Sequence, residues 1–102
     1  MDANEKVVIN LIVNSGSARS SAIEAIQYAK AGDIAKAEES LQQAKETVNE
    51  AHHSQTELIQ GEIRGEKAPL SLLMVHAQDH LMTSLVVIDL AQEFIDLYKK
   101  IG

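Results

Sequence analysis

The sequence predicts an all-α fold, an antiparallel up-down-up three-helix bundle, and three observations carry that expectation. Aromatic residues make up only 3% of the chain, with no Trp and one Phe, so the core must come from Leu, Ile, Val, Met and Ala, a palette suited to closely packed helices. Two punctuation points, Ala31-Gly32-Asp33 and Gly65-Glu66-Lys67-Ala68-Pro69, divide the 102 residues into thirds. Between them, apolar residues recur at alternating spacings of three and four. The expected organisation is one domain over residues 1–102, with helices at about 3–31, 34–65 and 70–101.

The first helix contains Ser15-Gly16-Ser17-Ala18-Arg19-Ser20-Ser21-Ala22, nearly all small side chains. These allow neighbouring helices to approach closely, although Gly16 inside a helix costs about 1 kcal/mol relative to Ala. Gly32 suits the end of this helix, and Asp33 suits the N-cap of the next. The second helix has the clearest period, with Ile34, Ala37, Leu41, Ala44, Val48, Ala51, Gln55, Leu58 and Glu62 as its inward seam. Two of those positions, Gln55 and Glu62, are polar. Pro69 favours the first turn of the third helix, whose run to Ile101 contains neither Gly nor Pro. Leu72-Leu73-Met74-Val75 and Leu85-Val86-Val87-Ile88 each step right round that helix at about 100° per residue. One three-helix chain cannot bury all of it, so the third helix is expected to face a second subunit as well as its own bundle.

Composition excludes several classes of function. A net charge of −6 gives no footprint for nucleic acid or an anionic membrane surface. With no cysteine there is no disulfide framework, thiol nucleophile or thiolate zinc site. The first residues, MDANEKVV, carry an early Asp and Glu and too short an apolar run to read as a signal peptide, and no stretch approaches a 20-residue membrane span. One Phe and two Tyr offer little stacking surface for a sugar.

The chemistry concentrates in His76-Ala77-Gln78-Asp79-His80-Leu81-Met82, where two imidazoles and a carboxylate interrupt an apolar helix. Such groups need partners, an ion or an interface, because desolvating them alone costs several kcal/mol. His76, Asp79, His80 and Thr83 share one side of the helix at three- and four-residue spacing. Three readings stand open. One is a satisfied structural arrangement; a second is a metal site, since the pair has two-point spacing with Asp79 as a third ligand, although Ala77 removes the glutamate of a hydrolytic HExxH motif. Alternatively a neutral imidazole can accept and pass on a phosphoryl group. No Arg or Lys lies between Pro69 and Leu97, so any phosphate on His76 must find its donors elsewhere. His52 and His53, adjacent on the second helix, read as surface or partly buried imidazoles. Levelling the antiparallel helices from their turns puts Gln55 near His80, Ile59 near His76, and Val7 to Asn10 at the same height.

Three segments carry a family resemblance: Gly16-Ser17-Ala18-Arg19-Ser20, Ala51-His52-His53-Ser54-Gln55-Thr56-Glu57-Leu58, and Leu72 through Met82 with its HAQDH core. In order and separation, over nearly the whole length, the chain resembles the lactose/cellobiose-type IIA component of the bacterial phosphoenolpyruvate-dependent sugar phosphotransferase system. The resemblance implies a cytoplasmic homotrimer whose His76 takes phosphate from the histidine-containing phosphocarrier protein. His76 would pass it to a cysteine of the IIB component, for import and phosphorylation of a β-linked disaccharide of the lactose, cellobiose or chitobiose class. It implies that Asp79 meets its symmetry mates around a structural divalent cation, expected to be Mg2+, with no organic cofactor. It also places His80 and Gln55 close to the active imidazole. No nucleic acid and no direct membrane insertion are expected. Ser17 departs from the acidic residue many members carry there. A different class, a helical interaction module, is suggested by the tetratricopeptide-like turn Tyr28 to Glu38, but no second copy recurs.

Overall fold

The computed structural model describes residues 3–102, and Met1 and Asp2 of the expected 1–102 domain lie outside the described residues. Three helices run through it: α1 Ala3–Lys30, α2 Ile34–Ile63 and α3 Leu72–Ile101. No strand occurs among the described residues. The bundle is long and narrow, 52 × 24 × 19 Å, as helices of this length require at about 1.5 Å per residue. Helix α1 packs extensively on both α2 and α3, which touch each other less.

Both turns are built on the same device. Gly32 and Gly65 take φ of +89° and +92°, left-handed values that a Cβ disfavours. After α1, the amides of Gly32 and Asp33 return to the carbonyls of Ala29 and Tyr28; after α2, those of Gly65 and Glu66 return to Glu62 and Gly61. These paired bonds are Schellman motifs, which satisfy the last carbonyls and stop each helix. Asp33 then caps α2, its carboxylate accepting the Lys36 amide at 3.1 Å. At the other connection the expected boundary moves. Ser71, not Pro69, starts α3: its hydroxyl accepts from the Met74 amide at 3.1 Å and its carbonyl from Val75 at 3.0 Å. Pro69 stays in the linker.

The core is lined by small residues. Ala18, Ala22 and Ala25 of α1, Ala37, Ala44 and Ala51 of α2, and Ala77 and Ala91 of α3 are fully buried, with Leu11, Leu81 and Ile95 filling the space between. Small side chains let the backbones approach until Ser84 of α3 reaches the Ser15 carbonyl of α1 at 2.8 Å. The expectation for α2 holds from Ala37 to Ala51 and then drifts: Gln55 and Leu58 are half-buried, Glu62 is exposed, and Gly61 is buried instead. At about 100° per residue Glu62 still shares the helical phase of Ala37 and Val48, so phase does not remove it from the seam; in this last turn the chain folds back over Gly61 instead, with the Glu66 carbonyl and Arg64 Nη2 3.5 and 3.7 Å from where a Cβ would stand. Gly16 also departs from its expected role. A Cβ there would meet nothing within 4 Å, so within one chain Ser15, Ala18 and Ala22 provide the close approach. At the far end, Lys99 pairs with Glu38, whose hydrogen-bonded carboxylate raises the ammonium above its ordinary range.

The uncovered side of the molecule is α3. Val75, Met82, Val86 and Leu90 are 51%, 51%, 57% and 52% exposed, and Leu72, Leu97 and Ile101 continue the same face. On α1, Ile9, Val13 and Ile23 are also exposed.

The two kinds of glycine give opposite expectations in urea denaturation at fixed protein concentration. Gly32→Ala should destabilise by about 1–2 kcal/mol, because its φ is left-handed. Gly16→Ala should stabilise by about 0.5–1 kcal/mol, because the helix gains propensity and nothing is displaced. Loss of stability in both would show that Gly16 is held by packing after all.

Candidate functional site

Within α3 the residues from 76 to 82 divide by direction. Ala77 and Leu81 are fully buried in the core. Gln78 faces α2, accepting a hydrogen bond from Gln55 Nε2 on its Oε1 at 2.8 Å, while the same Gln55 nitrogen approaches Met82 Sδ at 3.6 Å. His80 faces the α1 flank, since the Ser84 hydroxyl joins the His80 carbonyl at 2.6 Å to the Ser15 carbonyl at 2.8 Å. Asp79 is exposed in the middle of the apolar face formed by Val75, Met82 and Val86.

His76 and His80 form a contacting pair. Their Nε2 atoms are 3.1 Å apart, and the rings meet edge to face with centroids 4.5 Å apart. His76 is exposed and His80 half-buried. His80 Nδ1 is buried with no hydrogen-bond partner among the described residues. That decides the tautomers. An orphaned N–H is rarer and costlier than an orphaned acceptor, so Nδ1 of His80 is bare and its proton sits on Nε2. His80 therefore donates to His76 Nε2, which must offer a lone pair, and His76 keeps its own proton on Nδ1. The sp² lone pair of His76 Nε2 is thus held by the His80 N–H on an exposed helix flank, and that bond must open before the nitrogen can attack.

The expected companions divide. Gln55 lies at the anticipated height but on the other side of α3: it bonds Gln78, which is two residues from His76 and about 160° round the helix. The imidazole nitrogens are bonded to each other, not to Gln55. Ser54, beside Gln55, reaches Asn10 of α1 at 3.3 Å, in keeping with the levelling from the turns. His52 and His53 are both exposed, and His53 Nε2 lies 3.3 Å from Glu57. Among the described residues no three His, Asp or Glu side chains of one chain converge as metal ligands. Sequence reasoning did not single out Ser84, Ser15 or Gln78. A polar residue repeated inside an apolar run was the available signal for Ser84, but its partner is a backbone carbonyl, which no residue type announces.

Comparison with known proteins agrees with this architecture. Residues 6–99 match the family model of the phosphotransferase system lactose/cellobiose-specific IIA subunit. The lichenan-specific phosphotransferase enzyme IIA component of Bacillus subtilis is 54% identical over 97 residues, 95% of this chain and 88% of that protein. Among solved structures, the cellobiose-specific enzyme IIA of Bacillus anthracis superimposes with a TM-score of 0.95 at 58% identity, covering 99% of this chain and 93% of that one. The IIA(chitobiose) protein of Escherichia coli, solved in complex with HPr, gives 0.83 at 46% identity, covering 99% and 98%.

The tautomer assignment has a direct spectroscopic check. In long-range 1H–15N correlation spectra of the neutral rings, His76 should appear protonated at Nδ1 and His80 at Nε2. The reverse pattern in both rings would mean that His76 donates, leaving its Nδ1 as the free lone pair.

Proposed function

The chain belongs to the lactose/cellobiose-specific IIA family of the phosphotransferase system, and from that premise we propose that it is a cytoplasmic phosphocarrier acting through a phosphohistidine at His76. The donor in this reading is a histidine-containing phosphocarrier protein, supported by the Escherichia coli relative solved with HPr. The acceptor is a cysteine of a IIB component, and the sugar finally phosphorylated is a β-linked disaccharide of the class named for the cellobiose and chitobiose relatives.

The observation that supports this reading is the Nε2–Nε2 contact, because it assigns the lone pair of the exposed His76 ring to Nε2, held by a neighbouring N–H until phosphorus displaces it. In the forward step His76 Nε2 attacks phosphorus in line, and the bond from phosphorus to the donor's imidazole nitrogen breaks. The electron pair stays on the donor ring, which keeps its own N–H and leaves neutral. His76 keeps its Nδ1 proton and becomes a phosphorylated imidazolium. His80 Nε2–H, freed from the lone pair it occupied, is placed to donate to a phosphoryl oxygen. In the second step a thiolate attacks, the Nε2–P bond breaks, and its electrons return to a neutral His76. Imidazole suits both halves, being a nucleophile when neutral and a good leaving group when protonated.

A homotrimer completes the proposal. The number three comes from the family resemblance, and the exposed stripe Val75, Met82, Val86 and Leu90 supports α3 as the face that lines the axis. With axis and α3 parallel, equivalent residues meet at equal height, so Asp79 would bring one carboxylate per copy to the centre. Three carboxylates are a hard-oxygen donor set that fits Mg2+ or another divalent cation. Such an ion would neutralise charge between subunits, and no chemical step at His76 involves it.

Incubation with the donor protein, its kinase and phosphoenolpyruvate should label the chain with one acid-labile, base-stable phosphate. His76→Ala should abolish the label without loss of helical circular dichroism, and His80→Ala should slow it about 10- to 100-fold, the worth of one charge-assisted hydrogen bond. Full labelling of His76→Ala would overturn the assignment. For assembly, Asp79→Leu should leave the trimer intact or tighter, because apolar packing replaces clustered charge. Sedimentation showing monomers for both wild type and variant would contradict the trimer.

A further inference from the structure

A phosphorylated His76 carries a doubly negative group, and its own chain gives it little compensation. Helix α3 has no Lys or Arg between Leu72 and Leu97. On α1, Lys6 lies well over a third of a turn from the core-facing Val8 and Leu11. Arg19 lies one turn beyond Ser15, which already stands level with Ser84, so it is roughly 18 Å above His76.

An uncommitted cation stands at the right height on the opposite flank. Lys67 lines a groove of about 410 Å³ between α2 and α3, together with Gln55, Met74, Gln78 and the exposed carboxylate Glu62, with which no ion pair is formed among the described residues. Met74 and Gln78 bracket His76 in sequence, so the groove and the imidazole share one level. Among the described residues Lys67 has no ion pair, whereas its neighbour Arg64 is engaged by Glu66 at 3.2 Å. Its place is fixed from both ends, because the Schellman motif closes at Glu66 and Ser71 caps α3. Lys67 therefore starts a four-residue link between two anchored helix ends.

Cyclic symmetry brings the two flanks together. Around an axis parallel to α3, each copy must present one side to the next copy and the other side to the previous one, since the contact is heterologous. The His80 side of α3 faces α1 and the Gln78 side faces α2, with the exposed apolar stripe between them. The α1-side flank of one subunit, bearing His76, then meets the α2-side groove of its neighbour.

We infer that Lys67 of one subunit is the counter-charge for the phosphoryl group on His76 of the next, so that each site is completed in trans. This rests on the phosphocarrier and trimer reading above. The ammonium acts as a point charge on non-bridging oxygens, forming and breaking no covalent bond and exchanging no proton. It contacts the transferring group and so counts as a catalytic residue of the assembled trimer.

Subunit mixing tests it. Homotrimers of Lys67→Ala should label about tenfold more slowly than wild type, with unchanged helical content and denaturation midpoint, and Lys67→Arg should retain most of the rate. When Lys67→Ala chains are refolded with a large excess of His76→Ala chains, fast labelling should return, with all phosphate on the Lys67→Ala chains. A wild-type rate for the Lys67→Ala homotrimer overturns the inference, and slow labelling that persists in the mixture overturns its trans character. Either result leaves the phosphocarrier reading intact. That reading fails separately, if wild type takes no phosphate or sediments as a monomer.

Discussion

Helix α3 turns about 100° per residue, and between residues 76 and 82 each step assigns a different task. Ala77 and Leu81 hold the helix to the core; Gln78 fastens it to Gln55 of α2; Ser84, one turn on from His80, fastens it to the Ser15 carbonyl of α1. With both flanks tied, rotation of α3 about its axis is blocked, and the direction in which His76 and Asp79 project is fixed by the covalent period. A slip of one residue would send an imidazole into the core and an alanine into solvent. The site is thus a consequence of helical phase, held by two hydrogen bonds and a packed seam.

That phase is sustained by smallness. The alanines along all three helices let the backbones come close enough for a serine hydroxyl on α3 to reach a main-chain oxygen on α1. Larger residues at Ala18 or Ala22 would separate the helices and break the bridge, so the core sets the position of α3 as well as stabilising it. A core of this kind is thin, and much apolar surface remains outside. The exposed stripe on α3 is therefore the counterpart of the close approach on its other side.

Much of this was legible in the sequence, because it depends on local rules. Glycine at a left-handed position, aspartate at an N-cap and the spacing of apolar residues each act over a few residues, and the three helices, their order and the height of Gln55 followed from them. The failures are of a different kind. Pro69 was a plausible start for α3, but the hydrogen bonds of Ser71 outcompeted it. Glu62 keeps the helical phase of the seam yet is exposed in the last turn, where the chain folds back over Gly61 instead. Gln55 was placed at the correct level, and within one chain it bonds Gln78 rather than an imidazole, since levelling fixes height and says nothing about angle. The tautomers of the histidine pair were beyond sequence reasoning altogether, because they hang on the burial of one ring nitrogen.

The arrangement suits a carrier better than an enzyme with a substrate pocket. A carrier must meet two partners in turn with the same atom, so that atom has to be exposed, while its lone pair must point the same way each time. On the proposed reading the His76–His80 contact serves both demands, leaving the ring in solvent and marking the nitrogen that would react by the proton of a half-buried neighbour. Among the described residues, α3 itself offers no Lys or Arg between Leu72 and Leu97 to hold a phosphoryl group at this site. On the proposed reading, counter-charge arrives only from an adjoining subunit and from the docked partner. Each can stabilise the transferring group while it moves and release it afterwards, which keeps the two directions of transfer close in free energy.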